Sequence, residues 1–472
     1  LKGRILVATI PRLMRKLGKK AYDVYIVGGY IRDRVLGKEA KDYDFAVLGD
    51  AEEVARLAAE VLGGKMVPFM AEKGTYRVVV GEEILDFTNL RGENIQEDLA
   101  HRDFTMNAMA LRLKDYFEFE YIIDPFGGLK DIKNRKIRHV ADYTFREDPL
   151  RALRAVRFAA TYKFDIEEET KKKIKEEAHL LKNVAPERIM NEIFMIIREK
   201  DSHKYLRLME EMGLMENIFE EVARLKEVGK CYYQLVNSWI HSIRAVEEYE
   251  NIINAMRFPK DVVDLLKDYL ERPLSSENKV KDIIKLAILF HDIGKVDSIY
   301  IDVENRLHFY NHEVKGAEII KKMGSRMRIP KKETNLLKKL ILYHKKPLDY
   351  YLEGVNNKTL FRFFYHLKDN VVGILLVSLA EYTATRLSFG KIEDIPRYEN
   401  FIIKLLRRYV EFKETEKPLL SPLDIILNFD VKDGRKLGQI LYEIRKNRFY
   451  GEIKTKEDAI EFIKERMKVE KI

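Results

Sequence analysis

Two aspartates one residue apart, in Asp42-Tyr43-Asp44, open the chemical reading of this chain. The apolar run Phe45-Ala46-Val47-Leu48 follows them, so Tyr43 to Leu48 reads as a strand. On a strand, residues two apart project from one face. Neighbouring carboxylates repel unless a cation lies between them. Hard oxygen ligands suit Mg²⁺, which takes one or two carboxylates plus phosphate oxygens. A loop of solvated acids is the alternative, and the apolar continuation fits it poorly.

Three further constellations lie nearby in the sequence. Gly28-Gly29-Tyr30-Ile31-Arg32-Asp33 follows a short apolar strand, Val24 to Val27, and opens a helix. Glycine lets backbone approach a phosphate closely, a helix N-terminus offers unpaired N–H groups, and Arg32 can add a charge-assisted bond. An ordinary tight strand-to-helix turn carries the same pattern. Between Leu99 and Ala108, Arg102 can hold phosphate or ribose and Asn107 can fix the backbone; Arg102 and Asp103 also read as a surface ion pair at a capped helix. Finally, Arg151, Arg154 and Arg157 recur every three residues, a basic stripe along one helix face, with Asp148 one turn earlier. Such a face presents donors and an acceptor to a base edge. A solvated amphipathic helix is the other reading. Both readings need the arginines outward, because Leu150, Leu153, Val156 and Phe158 are apolar enough for a core.

The elements that must position these residues form an α/β opening third. A helix is expected over Glu52 to Leu62, a hairpin over Tyr76 to Val80 and Ile84 to Phe87 around Gly81-Glu82, and a strand over Phe117 to Ile123. Asp124-Pro125-Phe126-Gly127-Gly128 then breaks the chain. From Asp148 onward the apolar period is helical, with few strand signals. Lys391 to Pro396 and Glu414 to Pro422 are candidate joints. Leu1 to Lys20 reads as an amphipathic helix packed on the first domain.

Composition narrows the class. The 472 residues suffice for two to four domains. Lys and Arg number 86 against 77 Asp and Glu, a net charge of +9 that suits a polyanionic partner. The charged fraction, 35%, fits either a thermophile's ion-pair networks or a solvated helical surface. The single cysteine, Cys231, excludes an intrachain disulfide or a thiolate metal cluster, and a packed small hydrophobe is its expected role. A reducing, cytoplasmic setting and no transmembrane helix are expected.

Taken together, the four constellations resemble the class II tRNA nucleotidyltransferases and bacterial poly(A) polymerases of the polymerase-β superfamily. Asp124 to Asp131 and Pro186-Glu187-Arg188-Ile189-Met190-Asn191-Glu192 look like that family too. The resemblance implies an α+β fold: a polymerase-β-like nucleotidyltransferase head (1–146), a helical neck with a base-recognition motif (147–225), a helical HD-like body (226–400) and a helical tail (401–472). Gly28, Gly29 and Arg32 would bind the triphosphate, and Asp42 and Asp44 would be catalytic, holding two Mg²⁺ ions. Arg102 would contact the nucleotide. Asp148 and Arg151 would pair with the base edge in place of a template, with Arg154 and Arg157 completing the pocket. Glu187, Arg188 and Glu192 would brace the neck.

Only Asn89 to Gln96 separates Asp86-Phe87-Thr88 from Glu97-Asp98-Leu99, where dual-specificity relatives carry a flexible loop implicated in the switch from CTP to ATP. The deletion resembles the CC-adding subtype. The expected activity is therefore template-independent addition of CMP from CTP to the tRNA 3′ end, with pyrophosphate released. A full CCA-adding enzyme using ATP as well, or an A-adding or poly(A) polymerase, is the alternative.

In the second half, His241-Ser242, His291-Asp292-Ile293-Gly294-Lys295, His312-Glu313 and His344 resemble an HD domain, in which a His, a His-Asp pair and a distal Asp bind a divalent metal and hydrolyse phosphate esters. Glu381 stands at the distal position. Its extra methylene moves the oxygens, which favours a degenerate scaffold over a phosphohydrolase acting on tRNA ends. The tail from Leu420 to Met467 also resembles such proteins, and its basic helix, Arg435 to Arg448, would meet the acceptor-stem or T-arm backbone of tRNA. A catalytically silent RNA-binding protein is a further class, against which the intact Asp42/Asp44 pair argues.

Overall fold

The computed structural model describes residues 11–17, 23–38, 42–70, 74–228, 237–275, 277–304, 306–431 and 433–469. Of the expected N-terminal helix, residues 11–17 are helical; its remainder, Cys231 and the side chain of Asp42 lie outside the described residues. The chain divides into two compact units, residues 1–199 with 207–218, and residues 200–206 with 219–472.

A six-stranded sheet, in the order β3-β4-β5-β2-β1-β6, organises the first unit. Its strands are β1 (Asp23–Val27), β2 (Asp42–Leu48), β3 (Lys65–Met70), β4 (Thr75–Val80), β5 (Glu83–Asn89) and β6 (Ala110–Arg112). Alternation in β2 buries Tyr43, Phe45 and Val47 and leaves Asp44 exposed. Phe45 stacks on Phe87 with centroids 4.6 Å apart. The Ala51–Leu62 helix packs on β4 and β5. Asp50 caps its start by accepting from Glu52 N and Glu53 N, and Gly63 ends it at φ 66°. Two registers position the chemistry. Antiparallel β1 sets Val27 opposite Asp44, so the chain leaves β1 at Gly28 beside that carboxylate. Parallel β5 sets Asp86 opposite Asp44 on the other side.

The hairpin forms as expected, with Gly81-Glu82 joining Val80 to Glu83 and Gly81 at φ 65°. The expected Phe117 to Ile123 strand does not form. Phe119–Tyr121 is a 3₁₀ turn, Phe117 and Tyr121 are exposed, and Ile123 makes one isolated bridge to Ala110. Strand β3 carries no strand signal in the sequence because it contains Pro68, which cannot donate to a ladder. It is tolerated here on an edge strand with a register shift between Pro68 and Met70.

Asp124 accepts from Gly128 N at 2.6 Å and Leu129 N at 2.9 Å, capping the Gly128–Lys133 helix. Gly127 turns at φ 76°. Gly128 abuts the Thr105 carbonyl so closely that a Cβ would lie 2.2 Å from its oxygen. This chain breaker thus fixes the Thr105–Asn107 turn.

Among the described residues, the second unit is helical apart from a ribbon of Ile299–Ile301 paired with Leu307–Phe309. Its central helix is Asn370–Ser388, against which Ser238–Ala255, Val280–Phe290, Lys331–Tyr343 and Ile395–Glu414 pack. That helix is long and apolar enough to cross a membrane, yet 72% of its most apolar window is buried inside the fold, as in a core helix. The candidate joints are a 3₁₀ turn, Ile392–Asp394, before the Ile395–Glu414 helix, and the turn after that helix. Arg448 donates to the Glu414 and Thr415 carbonyls there, and Arg445 pairs with Glu416 at 2.9 Å. Two arginines of the basic tail helix are therefore engaged within the fold.

Gly128→Ala should force Thr105 away and destabilise the chain by about 1–3 kcal/mol. Denaturant unfolding checks this; a variant as stable as the parent would show that the contact relaxes freely.

Candidate functional site

At the C-terminal end of β1, a cleft of about 610 Å³ opens on Gly29, Arg32, Asp44, Arg102, Asp103, Asp148, Arg151, Arg154 and Arg157. Residues singled out from four separate stretches of sequence thus meet in one place. Gly28 sits between Asp44 and Arg102: a Cβ there would lie 3.6 Å from Asp44 Oδ2 and 3.5 Å from Arg102 Nη1. Its φ of 72° favours glycine. The Gly29–Val35 helix starts at the cleft, with its first N–H groups available to an anion.

The arginines are not a solvated stripe. Each is held by a carboxylate. Arg32 donates to Asp33 through Nε and Nη2 at 2.9 Å and to Asn107 Oδ1 at 2.6 Å. It also lies 4.5 Å from the Tyr162 ring centroid, and the Tyr162 hydroxyl donates to Asp33. Arg102 donates to Asp98 at 3.0 Å. Arg151 donates to Glu147 and to the His101 carbonyl, both at 2.7 Å, and is nearly buried. Arg154 grips Asp103 Oδ2 with Nε at 2.9 Å and Nη2 at 2.6 Å. Arg157 donates to Glu192 at 2.6 Å. Phe158 lies beneath this fan, its ring 4.2 Å from Arg157 and 5.3 Å from Arg154. Burial alone would raise the Asp103 pKa; Arg154 and Asn107 outweigh it and hold the carboxyl below the usual range.

Of the three neck residues, Glu192 and Arg188 reach the cleft residues directly. Arg188 donates to Asp148 at 2.8 Å, as Glu192 accepts from Arg157. Glu187 opens the same Pro186–Arg198 helix. Asn107 works through its side chain, bridging Arg32 and Asp103 rather than fixing backbone. Sequence reasoning misses Asp103 and Glu147 as functional residues, although both stand beside arginines that it singles out. Glu147 joins His101, at 2.9 Å, to Arg151. Asp44 presents carboxylate oxygen at the cleft, a hard donor that fits Mg²⁺.

A second constellation lies in the other unit. His241, His291, Asp292, His312 and His344 are all buried and close together. His241 comes from the Ser238–Ala255 helix, His291-Asp292 from the end of Val280–Phe290, His312 from the start of His312–Arg326, and His344 from just past Lys331–Tyr343. Glu381 reaches the same cluster, with Oε2 3.8 Å from His344 Nε2. Gly294 lets its turn touch the backbone of the His312–Arg326 helix; a Cβ there would meet the His312 carbonyl at 1.9 Å. Lys295 donates to Asp292 Oδ2 at 2.6 Å. Burial pushes His241, His291 and His312 down to about 4, against the pull of Asp292. Burial likewise opposes ionisation of Asp292, but His291 and Lys295 keep its pKa well below the usual range.

Family models match three stretches of the chain: the poly A polymerase head domain over 24–138, the probable RNA and SrmB binding site of polymerase A over 163–226, and the HD domain over 239–382. The CC-adding tRNA nucleotidyltransferase of Thermus thermophilus is 30% identical over 93% of this chain and 93% of its own length. The A-adding tRNA nucleotidyltransferase of Deinococcus radiodurans is 28% identical over 93% and 94%. Among solved structures, the Thermotoga maritima CCA-adding enzyme complexed with tRNA shares the fold at a TM-score of 0.68 and 23% identity, over 98% of this chain and 96% of that one.

Two outcomes are expected. Glu192→Gln weakens the hold on Arg157, and steady-state kinetics should give a nucleotide KM raised about tenfold with a smaller change in kcat; an unchanged KM would remove Arg157 from the binding surface. In metal-free protein the three low histidines lie below their unfolded value of 6.5. The unfolded chain then takes up protons first, so stability present above pH 6.5 is lost as pH falls toward 4. His241→Gln should flatten that slope by up to about 1.4 kcal/mol per pH unit, as read from denaturant midpoints across the window. The idea fails if the slope stays the same.

Proposed function

This chain belongs to the tRNA nucleotidyltransferase family, and we propose that within it the chain is a CC-adding enzyme, joining CMP from CTP to the tRNA 3′ end. The carrying observation is the single cleft where Asp44, the Gly28-Gly29 turn and the braced arginines converge. The 3′-hydroxyl oxygen bonds the α-phosphorus in line as the bond to the β-phosphate breaks, and pyrophosphate leaves. Asp42 and Asp44 would hold two Mg²⁺ ions, which when bound would supply acidification of that hydroxyl and charge neutralisation of the leaving group. The helix N-terminus at Gly29, with Arg32, binds the triphosphate. Arg102 contacts the nucleotide, and Asp103 and Asn107 hold its neighbours Arg154 and Arg32. Asp148 and Arg151 meet the base edge, and Arg154 and Arg157 complete the pocket. Fixed arginines cost little reorganisation as charge moves toward the leaving group. Glu187, Arg188 and Glu192 act as braces.

Specificity for CTP is supported by the connection between β5 and the Ile95–Ala100 helix. Only residues 90–94 span it. They are tied down: Arg91 N donates to Asp98, Glu93 N donates to Glu97, and Asn94 caps the helix by accepting from Glu97 N. No length remains for the flexible segment associated with ATP addition. The tRNA acceptor stem and T-arm are met through their backbone by the tail, a contact that weakens with salt.

A second activity is favoured by one observation in the histidine cluster: the buried Nε2 atoms of His241 and His291 have no hydrogen-bond partner. Neutral imidazole nitrogens presented in this way are metal ligands in waiting. An HD-type phosphohydrolase acting on tRNA ends is the corresponding reading.

Two assays check the nucleotidyl-transfer reading. With tRNA lacking its terminal CCA, CTP alone should extend the chain by two nucleotides, and ATP should add nothing to tRNA ending in CC; efficient ATP addition would replace the CC-adding reading with the CCA-adding one. Asp44→Asn should slow CTP incorporation on the order of a thousandfold, and near-parental rates would remove Asp44 from the chemistry.

A further inference from the structure

We infer that His101 is a positioning residue for base selection: its carbonyl, and its imidazole ring acting through Glu147, together set the guanidinium of Arg151. The inference deepens the nucleotidyl-transfer reading and rests on Arg151 meeting the base edge.

His101 and Arg151 both line the cleft of the first unit. His101 closes the Ile95–Ala100 helix, its N–H donating to the Asp98 carbonyl at 3.1 Å. Carbonyls of a last helical turn lack partners within the helix and take donors from elsewhere. Arg151 is that donor here, with Nη2 on the His101 carbonyl at 2.7 Å. The ring adds a second tie. Its Nδ1 lies 2.9 Å from Glu147 Oε1, and the other oxygen of that carboxylate accepts from Arg151 Nη1 at 2.7 Å. An ionised carboxylate only accepts, so Nδ1 carries the proton and donates. His101 therefore holds one guanidinium nitrogen directly and the other through Glu147.

These ties limit what Arg151 can offer a ligand. Nη1 spends its hydrogens on Glu147 Oε2 and on the Thr144 carbonyl, and Nη2 spends one on His101. The Nε hydrogen and the second Nη2 hydrogen are left. Cytosine meets such donors with acceptors at N3 and O2, whereas uracil turns an N3–H toward them. Donor facing donor is a repulsive element that rejects the wrong base. The rejection holds only while the guanidinium is kept from turning, because small misplacements of a positioning group are costly.

The other groups around Glu147 do not replace the ring. Arg91 Nη1 is 3.8 Å from Glu147 Oε1 and 3.5 Å from the His101 carbonyl, but its side chain is 56% exposed and water screens it. Arg146, next to Glu147 in sequence, turns to Glu177. Tyr143 packs its ring 5.7 Å from the imidazole, and its hydroxyl donates to the Ala100 carbonyl at 3.2 Å, so it supports the imidazole without reaching the carboxylate. Glu147 ends the one-turn Thr144–Glu147 helix, and its side chain takes its position from these partners.

The test uses the full-length chain with Mg²⁺ and tRNA lacking its terminal CCA, and compares kcat/KM for CTP with that for UTP. Arg151→Lys is the reference and should lower the ratio; if it does not, the base-edge role of Arg151 fails and the inference falls with it. His101→Leu should lower the ratio about tenfold, mainly through a higher KM for CTP. His101→Asn, whose amide nitrogen stands where Nδ1 does and can donate to Glu147, should bring it back to within about twofold of the parent. In a Glu147→Gln background, His101→Leu should cost no further selectivity, because the ring acts through that carboxylate. Inhibition by tripolyphosphate, which carries no base, should be alike in parent and variants, whereas a collapsed cleft would weaken it. With Arg151→Lys losing selectivity, an unchanged ratio in His101→Leu overturns the inference and leaves the role of Arg151 standing. Equal losses in His101→Asn and His101→Leu, additive losses with Glu147→Gln, or a parallel loss of tripolyphosphate inhibition overturn it as well.

Discussion

Several guanidinium groups crowd one cleft, and like charges so close repel unless something behind them answers each. That constraint organises the first unit. Asp33, Asp98, Asp103, Glu147 and Glu192 each anchor one arginine, at 2.6 to 3.0 Å. Asp98, Asp103 and Glu192 are buried. Buried carboxylates bonded this way are expensive to disturb, because removing either partner strands the other in low dielectric. The arginines are therefore held in place by the protein itself, with no polyanion bound. The motif of the neck helix Pro186–Arg198 serves the same constraint. Arg188 and Glu192, one helical turn apart, answer Asp148 and Arg157 respectively.

What can be read from the sequence follows from how local each signal is. Asp42-Tyr43-Asp44 and Gly28-Gly29 sit on a strand and at a strand's end, so their chemistry shows in a window of a few residues. Arg151, Arg154 and Arg157 declare themselves by spacing. Their environment does not. Asp103 lies 51 residues before Arg154, and Glu192 lies 35 residues after Arg157, so the stripe resembles a solvated face when it is a pinned one. Strand β3 hides behind Pro68. The strand expected at Phe117 fails for the opposite reason: its apolar residues have β character, but the sheet offers only Ala110 as a pairing partner, at Ile123.

In the second unit the histidines and their grouping are legible from the resemblance to an HD domain, and the orientation of each ring is not. His291-Asp292 stands out as a pair, whereas His312 and His344 are single residues at helix ends. Like His291, each makes a backbone bond to the carbonyl three residues earlier. That bond fixes the tautomer, and with it the direction of the lone pair. Gly294 belongs to the same device, since the turn carrying it can touch the His312–Arg326 helix only without a side chain.

The two constellations also differ in donor chemistry. At the head the proposed donors are carboxylate oxygens, a set that would suit a hard, reluctantly dehydrated ion and the phosphates it brings. In the helical unit they are imidazole nitrogens in a buried pocket, which favour later transition metals and hold them tightly. A chain carrying both sets need not partition one ion between two sites. Mg²⁺ would suit the oxygen ligands and a later transition metal the imidazoles. Ligand softness and burial, rather than any communication between the units, are sufficient to keep the two chemistries apart.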